Sequence, residues 1–131
     1  MTAKKKPKPK SKTYWKKRAD KAFSLYIRNR DQVCQANRTR PDTCESPYHL
    51  QCAHIVTRSY SATRLDATNA VALCRSCHMH YTHRPLEWEQ FVTTELMTED
   101  DFYRLKVRAL AGARRAHAID WEEEAAYWES A

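Results

Sequence analysis

His54, Asn69 and His78 stand in the order histidine, asparagine, histidine, and the last is fused to a cysteine pair in Leu-Cys-Arg-Ser-Cys-His (73–78). Each residue type has a use in hydrolysis. A neutral imidazole takes a proton from water, an asparagine amide fixes the direction of that imidazole, and a second imidazole holds a divalent cation. Such a set suits the cleavage of a phosphodiester. A lone histidine on a strand is more often a satisfied core residue, and a lone asparagine a turn residue. Only their company, with the cysteines beside them, sets these three apart.

Cys74 and Cys77 enclose two residues, a spacing that lets one turn aim both thiolates at a tetrahedral zinc with Zn–S of about 2.3 Å. Two ligands do not close a structural site. Cys34 and Cys44 are the obvious second pair, and four thiolates would staple the loop that carries them to the end of a strand. Cys52 competes with Cys44. It lies two residues before His54, so on a strand the two side chains share a face, and it is read as a core cysteine. An odd count of five cysteines with a Cys-x-x-Cys pair points to metal in a reducing cytoplasm rather than to disulfides. Structural zinc can supply on the order of 10 kcal/mol in a small domain, comparable with a whole domain's stability of roughly 5 to 15 kcal/mol.

The net charge of +7 over 131 residues is unevenly spread. Residues 1–30 hold twelve Lys or Arg against the single acid Asp20, a net +11, while residues 31–131 hold eleven against fifteen, a net −4. A positive potential concentrated at one end favours a polyanion, and DNA is the expected partner. A membrane is not: no apolar run reaches spanning length, the basic tail has no apolar anchor, and the start of the chain lacks a signal peptide's apolar stretch. The chain therefore reads as soluble and cytoplasmic. If the six lysines of residues 1–12 each met a phosphate, the salt slope from the tail alone would be about −5, roughly a thousandfold loss of affinity from 50 to 200 mM salt.

These residues need elements to position them. Residues 1–12 repel themselves and read as a disordered basic tail. Trp15, Ala19, Ala22, Phe23, Tyr26 and Ile27 recur at helical spacing and predict a helix over 14–28, with Lys16, Lys17, Arg18 and Lys21 off the apolar stripe. Residues 31–51 read as irregular loop. Strands follow at 51–57 and 70–73, and a helix runs from Cys77 to Pro85. Pro85 suits the first turn of another helix with Leu86, Trp88, Phe91, Val92 and Leu96 buried. Thr98 with Asp101 predicts a capped helix to about Leu110, which Gly112, the sole glycine, would end or bend. Residues 119–128 read as an acidic amphipathic helix with three possible fates: packing at home, binding a partner protein, or folding over the basic N-terminal helix. The fold class is α+β, divided into a tail (1–12), a central domain with its N-terminal helix (13–97) and a helical extension (98–131).

Cys34, Ala-His-Ile (53–55), Asn69 and Leu-Cys-Arg-Ser-Cys-His (73–78) resemble the HNH endonucleases of the ββα-metal superfamily. Ala-Asp-Lys-Ala-Phe-Ser-Leu-Tyr-Ile-Arg (19–28) followed by Arg-Asp-Gln-Val-Cys (30–34) resembles the phage-encoded recombination nucleases of NinG type, and the likeness spans roughly residues 19–92. It implies a hairpin carrying His54, a helix carrying His78, and between them a catalytic cation such as Mg²⁺, Mn²⁺ or Ni²⁺. By the same pattern His54 is the general base, Asn69 constrains it, and His78 binds the ion. One position departs from it: many members carry a metal-binding Asp where this chain has Ala53. The ion then rests on His78 with water and phosphate oxygens, or recruits His83, His80 or Asp66, of which His83 is preferred. The setting implied is a phage or prophage protein in a bacterial host, with a phage or host protein as a further partner of the acidic helix.

Arg58 and Arg64 flank the expected site and are candidates to clamp phosphate oxygens, with Lys16 and Lys17 adding basic contacts. Three functions follow in order: a zinc-stapled endonuclease acting on DNA, a non-catalytic zinc module that only binds nucleic acid, and an interaction protein working through its acidic helix.

Overall fold

The computed structural model describes residues 4–45, 48–112 and 119–131. Among these are six α-helices and one two-stranded antiparallel sheet, an α+β arrangement. Helix α1 spans Lys12–Asp31, longer than its periodicity predicts at both ends. Ser11 explains the start, its Oγ accepting from the Tyr14 amide at 3.2 Å. The end is a left-handed Gln32 (φ 64°), whose amide donates to the Arg28 carbonyl.

Strands β1 (Leu50–His54) and β2 (Ala70–Cys74) pair from Leu50 opposite Cys74 to His54 opposite Ala70. A two-stranded sheet is marginal alone, and here helices cover both faces. Ala53, Val71 and Leu73 pack with Tyr81 and Phe91, while Ala70, Ala72 and Cys52 pack with Phe23 and Ile27 of α1. β2 is consequently buried at every position. Its outer edge is closed by the end of α1: Asp31 accepts from the Ala72 amide at 2.8 Å, and the Gln35 amide donates to the Ala72 carbonyl at 3.0 Å. β1 stops at His54 rather than running to Thr57, because Val56 bonds a side chain, that of Asn69, instead of a partner strand.

Between the strands lie the short helix α2 (Ser61–Arg64) and a 3₁₀ turn (Ala67–Asn69). Helix α3 (Arg75–Thr82) leaves β2 at once, capped by Cys74 two residues before the expected start. Helix α4 (Pro85–Phe91) has Pro85 in its first turn and continues as a π-type turn, Val92–Leu96. Leu86, expected in the core, is 83% exposed. It sits two residues from Trp88, about 200° around the helix, so the side that buries Trp88 and Phe91 turns it outward.

Helix α5 (Glu99–Gly112) carries the expected cap, the Thr98 hydroxyl accepting from the Asp101 amide at 3.1 Å. Helix α6 (Trp121–Ser130) lays Trp121, Ala125 and Trp128 on α1, and Glu129 forms a bidentate ion pair with Arg18. Its apolar side is thus buried at home, while Glu122 and Glu123 remain exposed. No described helix is long and apolar enough to cross a membrane.

Candidate metal centre and histidine cleft

Four cysteines from three places in the chain converge. Cys34 follows α1, Cys44 ends a run of tight turns, and Cys74 and Cys77 flank the start of α3. All four sulfurs lie within 4.8 Å of one another, with Cys44 and Cys74 at 3.5 Å. A zinc tetrahedron with bonds of about 2.3 Å has sulfur-to-sulfur edges of about 3.8 Å, so the cluster has the dimensions of a Cys₄ centre and could hold a metal ion such as zinc. No disulfide joins these cysteines.

The electrostatics agree. Burial and the neighbouring sulfurs push the Cys44 thiol up to about 12 and raise that of Cys77 as well, so these two thiols stay protonated near neutral pH by themselves; a bound cation would invert that balance. The α3 N-terminus helps, its Cys77 amide donating to the Cys74 sulfur at 3.4 Å. Cys52 stands apart on the α1 side of the sheet, where burial raises its thiol to about 11.

His54 and His78 line one open cleft of about 320 Å³, together with Ala53, Thr57, Thr82, Tyr81 and Trp88. His54 arrives on the last residue of β1 and His78 on the first turn of α3. One nitrogen of each ring is held by a protein acceptor. His54 Nε2 lies 2.8 Å from the Arg64 carbonyl and His78 Nδ1 lies 2.9 Å from Gln51 Oε1. A carbonyl oxygen only accepts, so those nitrogens carry the protons. His54 Nδ1 and His78 Nε2 are left with lone pairs. Phe23 stacks on His54 with ring centres 5.8 Å apart. Burial lowers the pKa of both imidazoles below the ordinary value; at His54 the Arg64 carbonyl opposes the shift and the cations of Arg58 and Arg64 add to it. Both rings are neutral near pH 7.

Asn69 is fully buried, and its amide bonds backbone only. Oδ1 accepts from the Val56 amide at 2.7 Å, and Nδ2 donates to the carbonyls of Val56 (3.0 Å) and Thr63 (2.8 Å). It reaches His54 indirectly, by pinning the loop whose next residue, Arg64, supplies the carbonyl at the imidazole.

The remaining candidates divide. His83 caps the C-terminal end of α3, outside the cleft lining, so the preference for it as a second ligand is not met: five residues beyond His78 is too far around a helix to share its face. His80 pairs with Glu87 at 3.1 Å. Asp66 accepts from Thr68 and Arg108. Among the described residues the cysteine cluster is the one group of three or more potential ligands, and no carboxylate lines the cleft. Arg58 is exposed near His54. Arg64, expected at a phosphate, has its guanidinium filled by Asp20 and by the Arg58 carbonyl. Lys16 lies over the Trp121 ring at 5.2 Å, and Lys17 faces solvent.

Sequence reasoning missed two residues of the site. Gln51 left no signal, being an exposed polar residue on a strand; Asp20 left one, as the sole acid among the first thirty residues. No protein-family model, curated protein or solved structure matches the chain.

Proposed function

We propose that this chain is a metal-dependent endonuclease that hydrolyses DNA phosphodiester bonds, built on a zinc-stapled ββα-metal core of HNH type formed by β1, β2 and α3. The observation that carries the proposal is the shared cleft. Two neutral imidazoles line it, each with one nitrogen fixed by a protein acceptor and the other able to accept a proton or bind a cation.

In this mechanism His54 Nδ1 takes the proton of the attacking water, and the Arg64 carbonyl steadies the imidazolium that forms. Arg58 contacts the phosphate, and the basic tail with Lys17 adds sequence-independent affinity. His78 Nε2 would hold a divalent cation, whose chemistry there would be to offset the negative charge of the phosphodiester undergoing hydrolysis. A donor set of one imidazole and no carboxylate suits Ni²⁺ better than Mg²⁺ or Mn²⁺, which prefer oxygen ligands. Phage or prophage recombination or DNA processing in the bacterial cytoplasm fits the NinG-like motifs.

A second reading is a zinc module that binds nucleic acid without cutting it. The absence of a carboxylate from the cleft lining, with Ala53 at the place of the family's Asp, favours it. Nicking of supercoiled plasmid in Mg²⁺, Mn²⁺ or Ni²⁺ decides between them. The nuclease reading expects cleavage that His54→Ala abolishes while zinc content and DNA affinity persist. DNA binding by the wild type with no cleavage in any of the three metals selects the second.

A further inference from the structure

The carbonyl that meets His54 belongs to Arg64, whose side chain is anchored on a distant element. Arg64 Nε donates to Asp20 Oδ1 at 2.8 Å, Nη2 donates to Oδ2 of the same carboxylate, and Nη1 donates to the Arg58 carbonyl at 3.1 Å. Asp20 lies on α1, forty-four positions earlier in the chain. The two side chains are only 14% and 20% exposed, and the Trp121 ring of α6 lies 6.0 Å from the guanidinium. Asp20 and Phe23 are three apart on α1 and so share a face. That face therefore grips the imidazole twice, through the Phe23 ring stacked on it and through Arg64 at its edge.

We propose that Asp20 is a positioning residue, fixing through Arg64 the carbonyl that selects the Nε2–H tautomer of His54. The proposal rests on the reading of His54 as the general base. A neutral imidazole has two tautomers, and only Nε2–H leaves Nδ1 free to accept a proton. Tautomer selection needs the carbonyl to stay within hydrogen-bond distance. A bidentate, charge-assisted pair from a 20-residue helix holds the Arg64 residue in place where a short surface helix by itself would not.

The test uses the zinc-loaded 131-residue chain with Asp20→Asn and Arg64→Lys, and Arg38→Ala, which breaks an exposed pair with Glu95, as control. Two quantities are measured: the tautomer of His54 by nitrogen NMR at a pH where the ring is neutral, and steady-state plasmid nicking in Mn²⁺. The wild type is expected to hold Nε2–H. Asp20→Asn and Arg64→Lys are expected to move a measurable share to Nδ1–H and to lower kcat about tenfold to a hundredfold, as loss of a ligand's supporting contact does elsewhere, with KM and zinc content unchanged. Arg38→Ala should match the wild type. Should Asp20→Asn lose zinc or fold, Arg64→Lys, which keeps the charge, decides. A folded variant with the wild-type tautomer and kcat overturns the proposal. A wild type that holds Nε2–H yet nicks no plasmid overturns the nuclease reading instead, while the NMR comparison still decides whether Asp20 sets the tautomer.

Discussion

Gln51 Oε1 receives a hydrogen bond from His78 Nδ1 at 2.9 Å, so a strand residue decides which nitrogen of a helix residue stays free. Without that acceptor the ring turns and samples both tautomers. Gln51→Ala should weaken divalent-cation binding at the cleft by about tenfold or more, read by titration of Mn²⁺ against plasmid nicking. Zinc content should not change, and a Mn²⁺ dependence identical to the wild type would contradict the role given to Gln51.

The pH dependence follows from burial. In the folded chain His54 stays neutral below its ordinary pKa of about 6.5, because desolvation disfavours the imidazolium. The acid limb of kcat/KM, which reports the free enzyme, should therefore fall below about pH 6.5. The same shift has a stability consequence. An unfolded imidazole binds its proton first as pH falls, so the contribution of His54 is complete above about 6.5 and is lost below it, towards the lower folded value. An acid limb at or above pH 7 would show that the ring is not desolvated.

Metal removal should do more than stop activity. With a site worth on the order of 10 kcal/mol, Cys44→Ser and Cys74→Ser should lose zinc and unfold the hairpin and α3, seen as loss of cooperative melting. Cys52→Ser, outside the cluster, should keep one zinc per chain in metal analysis. Zinc retained by Cys44→Ser and lost by Cys52→Ser would reverse the ligand assignment.

Asn69→Ala should cost about 3 kcal/mol, since it leaves a buried amide and two carbonyls without partners and opens a small void. Denaturant unfolding measures this. Asn69→Asp is the sharper control, because a carboxylate can accept from Val56 but repels the two carbonyls that Nδ2 now satisfies. A destabilisation under 1 kcal/mol for both would mean that the loop is held by other contacts.

Gly112 packs so closely on α2 that a Cβ there would fall 2.0 Å from the Ala62 Cβ. Gly112→Ala should destabilise by about 1 to 3 kcal/mol through overpacking, although alanine is the better helix former. Ala62→Gly in the same chain should recover most of the loss, and a stabilised single variant would show that the helices separate freely.

The sequence by itself determined the α+β class, the helical stretches, the Thr98 cap and the Pro85 first turn where two helices start, the four cysteines that gather, and the concentration of positive charge at one end. Those properties are local or compositional: apolar period, capping chemistry and ligand spacing are written in neighbouring residues. Tertiary structure decided the rest. That Arg64 answers Asp20 rather than a phosphate, that Gln51 orients His78, that His83 lies off the cleft and that α6 covers α1 all depend on segments meeting across tens of residues. Such meetings follow from packing two faces of a small sheet at once, and no local pattern in the chain encodes the angle at which they occur.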